Sequence, residues 1–162
     1  MLPLPPNGKR YKQGIYKPIH PEKYVGEQPI RYLSSLELSF LLFCDRSTSV
    51  IEYSSESIII PYLNPLTNKV SRYYVDSYIK IKEGNTIKKY LIEIKPKKQT
   101  QQPIFSPRQK EKTKIYEVRQ WAQNQAKWDA AKRWCDQKNK EISPTNKNIP
   151  IDFMILTEEN LR

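Results

Sequence analysis

Read for the spacing of its apolar positions, the chain divides into an opening segment without a period, an apolar helix, several short strands, a long helix and a closing strand. Ser34-Ser35-Leu36-Glu37 ahead of LSFLLFC has the form of a capping box opening a helix. Leu38, Phe40, Leu41, Leu42 and Phe43 are dense enough to predict that this helix is largely buried. Val50 to Tyr53 and Ile58 to Tyr62 are predicted strands, and the triplet Ile58-Ile59-Ile60 suits a strand covered on both faces. After the turn cluster Asn64 to Asn68, alternation becomes strict. Tyr73, Val75, Ser77, Ile79 and Ile81 point one way, and Tyr74, Asp76, Tyr78 and Lys80 the other. Gly84-Asn85 carries the signal of a type II′ two-residue turn into a second strand, Lys88 to Lys95, whose face Tyr90, Ile92 and Ile94 suits a core. Together these strands predict an antiparallel meander.

Residues 110 to about 138 contain neither Gly nor Pro and predict a long helix. Ile115, Val118, Ala122, Ala126, Ala130 and Trp134 share one arc, with Trp121 and Trp128 at its edge and Arg119 interrupting it. The tryptophans are expected in the core and at its rim. Gln120, Asn124 and Lys127 lie on another face, open to a nucleic acid backbone or simply to solvent. Ser143 to Asn148 is turn-rich, and IPIDFMIL at 149–156 predicts a last strand that, after a helical crossover, runs parallel to its neighbour.

The tight turn fixes the register of the hairpin and sets Asp76 opposite Glu93. Counted from the closing pair Glu83/Thr86, that pair is non-hydrogen-bonded, with Cα atoms about 4.5 Å apart. Lys95 falls on the same face, opposite Tyr74. Facing carboxylates repel on a sheet unless something offsets them. A hard divalent cation such as Mg²⁺, which takes one or two carboxylates and leaves other positions to water and phosphate, does so. A solvated, charged hairpin face is the plainer reading of the same residues. Glu37 also has two: it reaches back to the helix cap, or it projects from the first turn as a further metal ligand.

The formal charge of +11, from 28 basic and 17 acidic residues, favours a polyanionic partner, nucleic acid before an anionic membrane surface. Seven lysines against two glutamates between residues 80 and 98 concentrate that charge beside the candidate site. Lys97 and Lys98 are expected to meet phosphate, although sheet edges also use lysine to deter pairing. No apolar run approaches the roughly 20 residues that span a bilayer, and no signal peptide is expected. Two isolated cysteines, Cys44 and Cys135, exclude a disulfide framework and are expected buried and reduced; the single His20 argues against a histidine base. Residues 1–30, rich in proline and basic residues and bearing Tyr11, Tyr16 and Tyr24, are expected to form an arm, either solvated or a tether, ahead of one domain over 31–162.

The order helix, meander, helix, strand, with Asp76 and then Glu93-Ile94-Lys95, resembles the PD-(D/E)XK nuclease superfamily. Pro21 to Gly26, Ile30 to Glu37, Ile60-Pro61-Tyr62, Pro65-Leu66 and Glu93 to Pro96 resemble the head-completion nucleases of large tailed bacteriophages. Phe153 to Glu158 looks like the end of TnsA-type transposon endonuclease domains. The resemblance implies an α/β (α+β) restriction-endonuclease-like core and a metal-dependent DNA endonuclease leaving 5′ phosphate and 3′ hydroxyl ends. Asp76 and Glu93 would bind Mg²⁺, or Mn²⁺ in its place, with the main-chain carbonyl of Ile94, and Glu37 would match a helix-borne further ligand. Lys95 would orient the attacking water, and Arg72, Tyr74, Lys97, Lys98 and Lys127 are candidates for DNA contact. Val75 stands where the superfamily's name has proline. The expected partners are double-stranded DNA and phage head or neck proteins, in the host cytoplasm or the virion. A non-catalytic DNA-end-binding assembly protein is the alternative, and an RNA-binding module stacking bases on Tyr74 and Tyr78 a third.

Overall fold

The structure, a computed structural model, describes residues 13–145 and 148–161. The first twelve residues of the expected arm, Tyr11 among them, lie outside the described residues, as do residues 146–147 of the predicted linker and Arg162. Strands β1 (Gly14–Tyr16) and β2 (Ile30–Tyr32) flank a 3-10 turn at Pro21–Lys23 and lead into helix α1 (Ser35–Arg46). Strands β3 (Val50–Ser55), β4 (Ile59–Asn64), β5 (Lys69–Tyr74), β6 (Ser77–Glu83) and β7 (Thr86–Ile94) follow, then a 3-10 turn at Lys97–Thr100. Helix α2 (Glu111–Lys140), strand β8 (Ile151–Leu156) and the short helix α3 (Glu158–Leu161) complete the order.

The central sheet runs β3-β6-β7-β8. Strands β3, β6 and β7 are antiparallel neighbours and β8 is parallel to β7, the direction predicted for a strand returning after a helix. The hairpin register is the one its turn dictates, from Glu83↔Thr86 out to Ser77↔Ile92. Gly84 takes φ +61°, and a Cβ there would meet no atom within 4 Å, so backbone conformation alone favours glycine at this position.

Both faces of the sheet are covered. Consecutive residues of β7 divide between them: Leu91 is buried against Trp128, Ala131 and Cys135 of α2, and Ile92 against Phe40, Leu41 and Cys44 of α1. At roughly 1.5–3 kcal/mol for each fully buried large apolar side chain, the strand is fixed from both sides. Helix α1 begins as its capping box predicts, with the Glu37 N–H donating to Ser34 Oγ at 3.1 Å.

Four expectations change. The Ile58–Tyr62 strand is not part of the central meander; β4 pairs with β5 in a separate ribbon, Ile59↔Tyr74 to Asn64↔Lys69. The long alternating strand breaks at Val75-Asp76, where the Val75 N–H donates to the Ile58 carbonyl and the Glu56 N–H to the Asp76 carbonyl. This pinning turns the chain, so Tyr73 and Val75 enter the α2-side core while Ile79 enters the α1-side core, and Tyr74 faces Ile59 rather than Lys95. A break of this kind leaves the period of two intact and is therefore silent in the pattern.

The second change concerns the expected arm. Within the described residues it packs rather than extends: Tyr16, Tyr24 and Ile30 are buried, and β1 pairs with β2. The anchor is Asp45, with no solvent exposure, whose carboxylate accepts from Tyr16 Oη at 2.5 Å, the Ile19 N–H at 2.7 Å and the His20 N–H at 2.8 Å. Lys23 Nζ caps the nearby Asp45 and Ser47 carbonyls at the end of α1. Third, the first turns of α2 are exposed, with Ile115 and Val118 in solvent, while Ala126, Ala130 and Trp134 of the predicted arc do pack, joined by Asn124, Trp128, Ala131 and Cys135. Fourth, Asn124 is thereby a buried residue and not part of an outer polar face. Trp128 is buried and Trp121 and Trp134 flank it, as expected of core and rim. Among the described residues no helix is long and apolar enough to cross a membrane.

Candidate active site

The break after β5 places Asp76 at the open end of the β6–β7 ladder. One step beyond the last pair, its Oδ2 accepts the Ile94 N–H at 2.8 Å. Side chain thus replaces backbone where the ladder stops. Glu93, next on β7, is 4% exposed; its Oε2 accepts the Tyr73 hydroxyl, and its Oε1 lies 3.5 Å from Lys95 Nζ. Lys95 follows the end of β7 and is tied by its N–H to the Leu156 carbonyl of β8 at 3.0 Å. Asp76, Glu93 and Lys95 are therefore brought together by the end of one hairpin and held from β5 and β8.

The electrostatics of this cluster are unbalanced. Burial, then the neighbouring charge of Glu93 and more weakly that of Glu37, push the Asp76 carboxyl well above the usual range. The Ile94 N–H and the Lys95 ammonium oppose this without cancelling it. Glu37 is raised too, by burial first and by the charges of Glu56 and Glu93, against the Leu33 N–H and Lys95. Its Oε2 accepts that Leu33 N–H at 2.9 Å, one residue ahead of the Ser34 cap, so it reaches back past the cap itself while the carboxylate still feels the site. The Tyr73 phenol is held firmly protonated by burial and by the adjacent Glu93 charge.

Among the described residues, no group of three or more His, Cys, Asp or Glu side chains is set to hold a metal ion. Glu37 is not preassembled with the other two acids. The donor set of Asp76 and Glu93 nevertheless fits a hard divalent cation. Mg²⁺ needs only one or two carboxylates beside water and phosphate, and two partly desolvated carboxylates gain from a cation what they lose to each other. Ile94, expected to offer its carbonyl, here contributes its N–H to Asp76.

The expected DNA contacts scatter. Arg72 and Tyr74 are exposed on β5, and Lys98 is exposed in the turn after β7. Lys97 is engaged by α3, its N–H to Glu158 Oε2 at 2.8 Å and its Nζ to Glu159 Oε1 at 2.6 Å. Lys127 is directed over the rings of Tyr73 and Tyr62, 5.6 and 5.9 Å from their centroids. Three residues of these surroundings carry little or no signal in the sequence pattern: alternation sets Tyr73 on the wrong face, Glu56, at φ +51°, sits in a turn with no motif, and only Asp45, near the end of an apolar helix, is visible.

Residues 47–158, a span that includes Asp76, Glu93 and Lys95 but not Glu37, match the family model described as TnsA-like endonuclease N terminal. Over 153 residues the chain is also 32% identical to the head completion nuclease of Enterobacteria phage T4, covering 92% of this chain and 93% of that protein. By its sequence, and by a mixed sheet with one helix on each face, the chain belongs to the TnsA-like endonuclease family.

Proposed function

We propose that this protein is a divalent-cation-dependent DNA endonuclease that processes DNA ends during phage head completion. The observation that carries the reading is the convergence of Asp76, Glu93 and Lys95 at the end of the hairpin, with the two acids short of compensating charge. Asp76 and Glu93 would hold Mg²⁺, with the Ile94 carbonyl beside them and Glu37 joining from α1. When bound, the cation would polarise the scissile phosphate and make water a better nucleophile. Lys95, 3.5 Å from Glu93, would orient the water and stabilise charge developing on the phosphate. Its contact with Glu93 keeps the ammonium at the cluster.

A DNA-end-binding assembly protein with the same fold is the second reading. It is favoured by one observation, that the acids are not preassembled for a metal and Glu37 is engaged at its cap. Cleavage of linear and supercoiled double-stranded DNA with Mg²⁺, Mn²⁺ or EDTA separates the two. The nuclease reading expects cutting that EDTA, Glu93→Ala and Lys95→Ala each abolish while DNA binding persists. Salt-sensitive binding without cutting under every condition would establish the assembly reading instead.

A further inference from the structure

Glu93 does not stand alone at the bottom of the site. Its Oε2 accepts the hydroxyl of Tyr73, a side chain 3% exposed on β5. That strand belongs to the ribbon outside the central sheet. The ring is fixed from several directions. Tyr73 pairs with Ile60 in the ribbon and packs in the core that contains Val75, Leu91 and Trp128. Lys127 Nζ lies 5.6 Å from its centroid and 5.9 Å from that of Tyr62, whose hydroxyl accepts Gln123 Nε2 at 2.9 Å. A carboxylate free to turn about its last bond offers either oxygen to a ligand. Here one oxygen is claimed by a donor packed in the core, and the other is left beside Lys95.

We propose that Tyr73 is a positioning residue: its hydroxyl selects which oxygen of Glu93 is left for a divalent cation, and so ties cation binding to the β4–β5 ribbon. The inference rests on the reading of Glu93 as a cation ligand. Partners that orient ligands from behind tune metal affinity by about 10- to 100-fold. A hydrogen bond that served the fold alone would alter melting temperature and leave cation affinity unchanged. The outer face of the same ribbon carries Arg72 and Tyr74. A nucleic acid pressing there would act on the strand that holds Glu93 in place.

The test is a thermal melt of the full chain titrated with MnCl₂ in the absence of DNA, for wild type, Tyr73→Phe and, as a neighbour in the same core, Tyr62→Phe. Tyr73→Phe is expected to need about 10- to 100-fold more Mn²⁺ for half of the stabilisation, Tyr62→Phe to stay within about twofold of wild type, and DNA cleavage by Tyr73→Phe to recover at saturating Mn²⁺. A Tyr73→Phe titration that overlays wild type, or an equal shift in Tyr62→Phe, overturns the proposal. If wild type itself gives no response to Mn²⁺, the cation-site reading has failed and takes this inference with it. Should Tyr73→Phe not fold, the same Mn²⁺ titration is made on Ile60→Ala, which loosens the residue paired with Tyr73 in the ribbon and leaves Glu93 intact: weakened Mn²⁺ affinity supports the assignment, and unchanged affinity refutes it.

Discussion

Asp45 and the Asp76–Glu93 pair are carboxylates withdrawn from water in one chain, which surrounds them in opposite ways. Burial alone would raise Asp45, but the Tyr16 hydroxyl and the Ile19 and His20 N–H groups outweigh it and hold the carboxyl below its usual range. Asp76 receives one N–H and faces a second acid, and its carboxyl is raised. The first arrangement stabilises the fold by closing the N-terminal segment onto α1. The second opposes the fold and is retained where a cation would relieve it. Here charge satisfied by fixed donors belongs to the structure, whereas charge left short is what the proposed cation would offset.

The contrast breaks if both sites respond alike to substitution. Glu93→Gln keeps the volume and an acceptor for Tyr73 but removes the charge. Cleavage should fall by about 10³-fold or more, on the order of 4 kcal/mol of barrier, with no loss of melting temperature in EDTA. Steady-state cleavage and a melt on one preparation check both halves. Asp45→Ala should do the reverse. Three donors lose their acceptor, and urea denaturation should show a loss of about 3 kcal/mol, while cleavage per folded molecule stays near wild type.

The pH dependence of stability sharpens the comparison, because the two sites carry opposite signs. Asp45, lowered in the folded state, contributes stability above the ordinary aspartate pKa of 3.8 that is lost as pH falls through its folded value. Asp76, raised, binds its proton more tightly in the folded state, so cation-free stability should decline by on the order of 1–2 kcal/mol as pH climbs from 3.8 toward its folded value. Melts in EDTA across pH should therefore show a maximum, with Asp76→Asn reducing the decline above it, Glu37 supplying the remainder, and Asp45→Asn flattening the acid limb. Mn²⁺ should raise the melting temperature more at pH 8 than at pH 5. The smallest effect is expected at the exposed Lys97–Glu159 pair, where Glu159→Gln should leave the melting temperature unchanged within error.

What was legible in the chain follows from which forces leave local marks. The register of the hairpin could be counted because Gly84 closes a turn of fixed length, and the capping box, the parallel last strand and the buried cysteines were equally open to reading. The break at Val75-Asp76 was not, since its cause is the Ile58 carbonyl and the Glu56 N–H, groups every residue owns. With alternation read straight through it, Tyr73 falls on the wrong face, away from Glu93. The segment 14–30 lacks a period because it is held by Asp45 and by scattered tyrosines rather than by an amphipathic face. On α2, the alanine arc is legible but the place where the helix leaves the sheet is not, since it depends on partners far away in sequence.

Cys44 and Cys135 give the unmodified protein a pair of internal clocks. Each thiol is buried, one in the layer beneath α1 and the other in the layer beneath α2, and burial pushes both thiols up, away from the reactive thiolate. A thiol reagent reaches either residue only when its own layer opens. Labelling read by peptide mass would then time the two layers independently, with and without DNA, and show whether substrate closes one side of the sheet before the other.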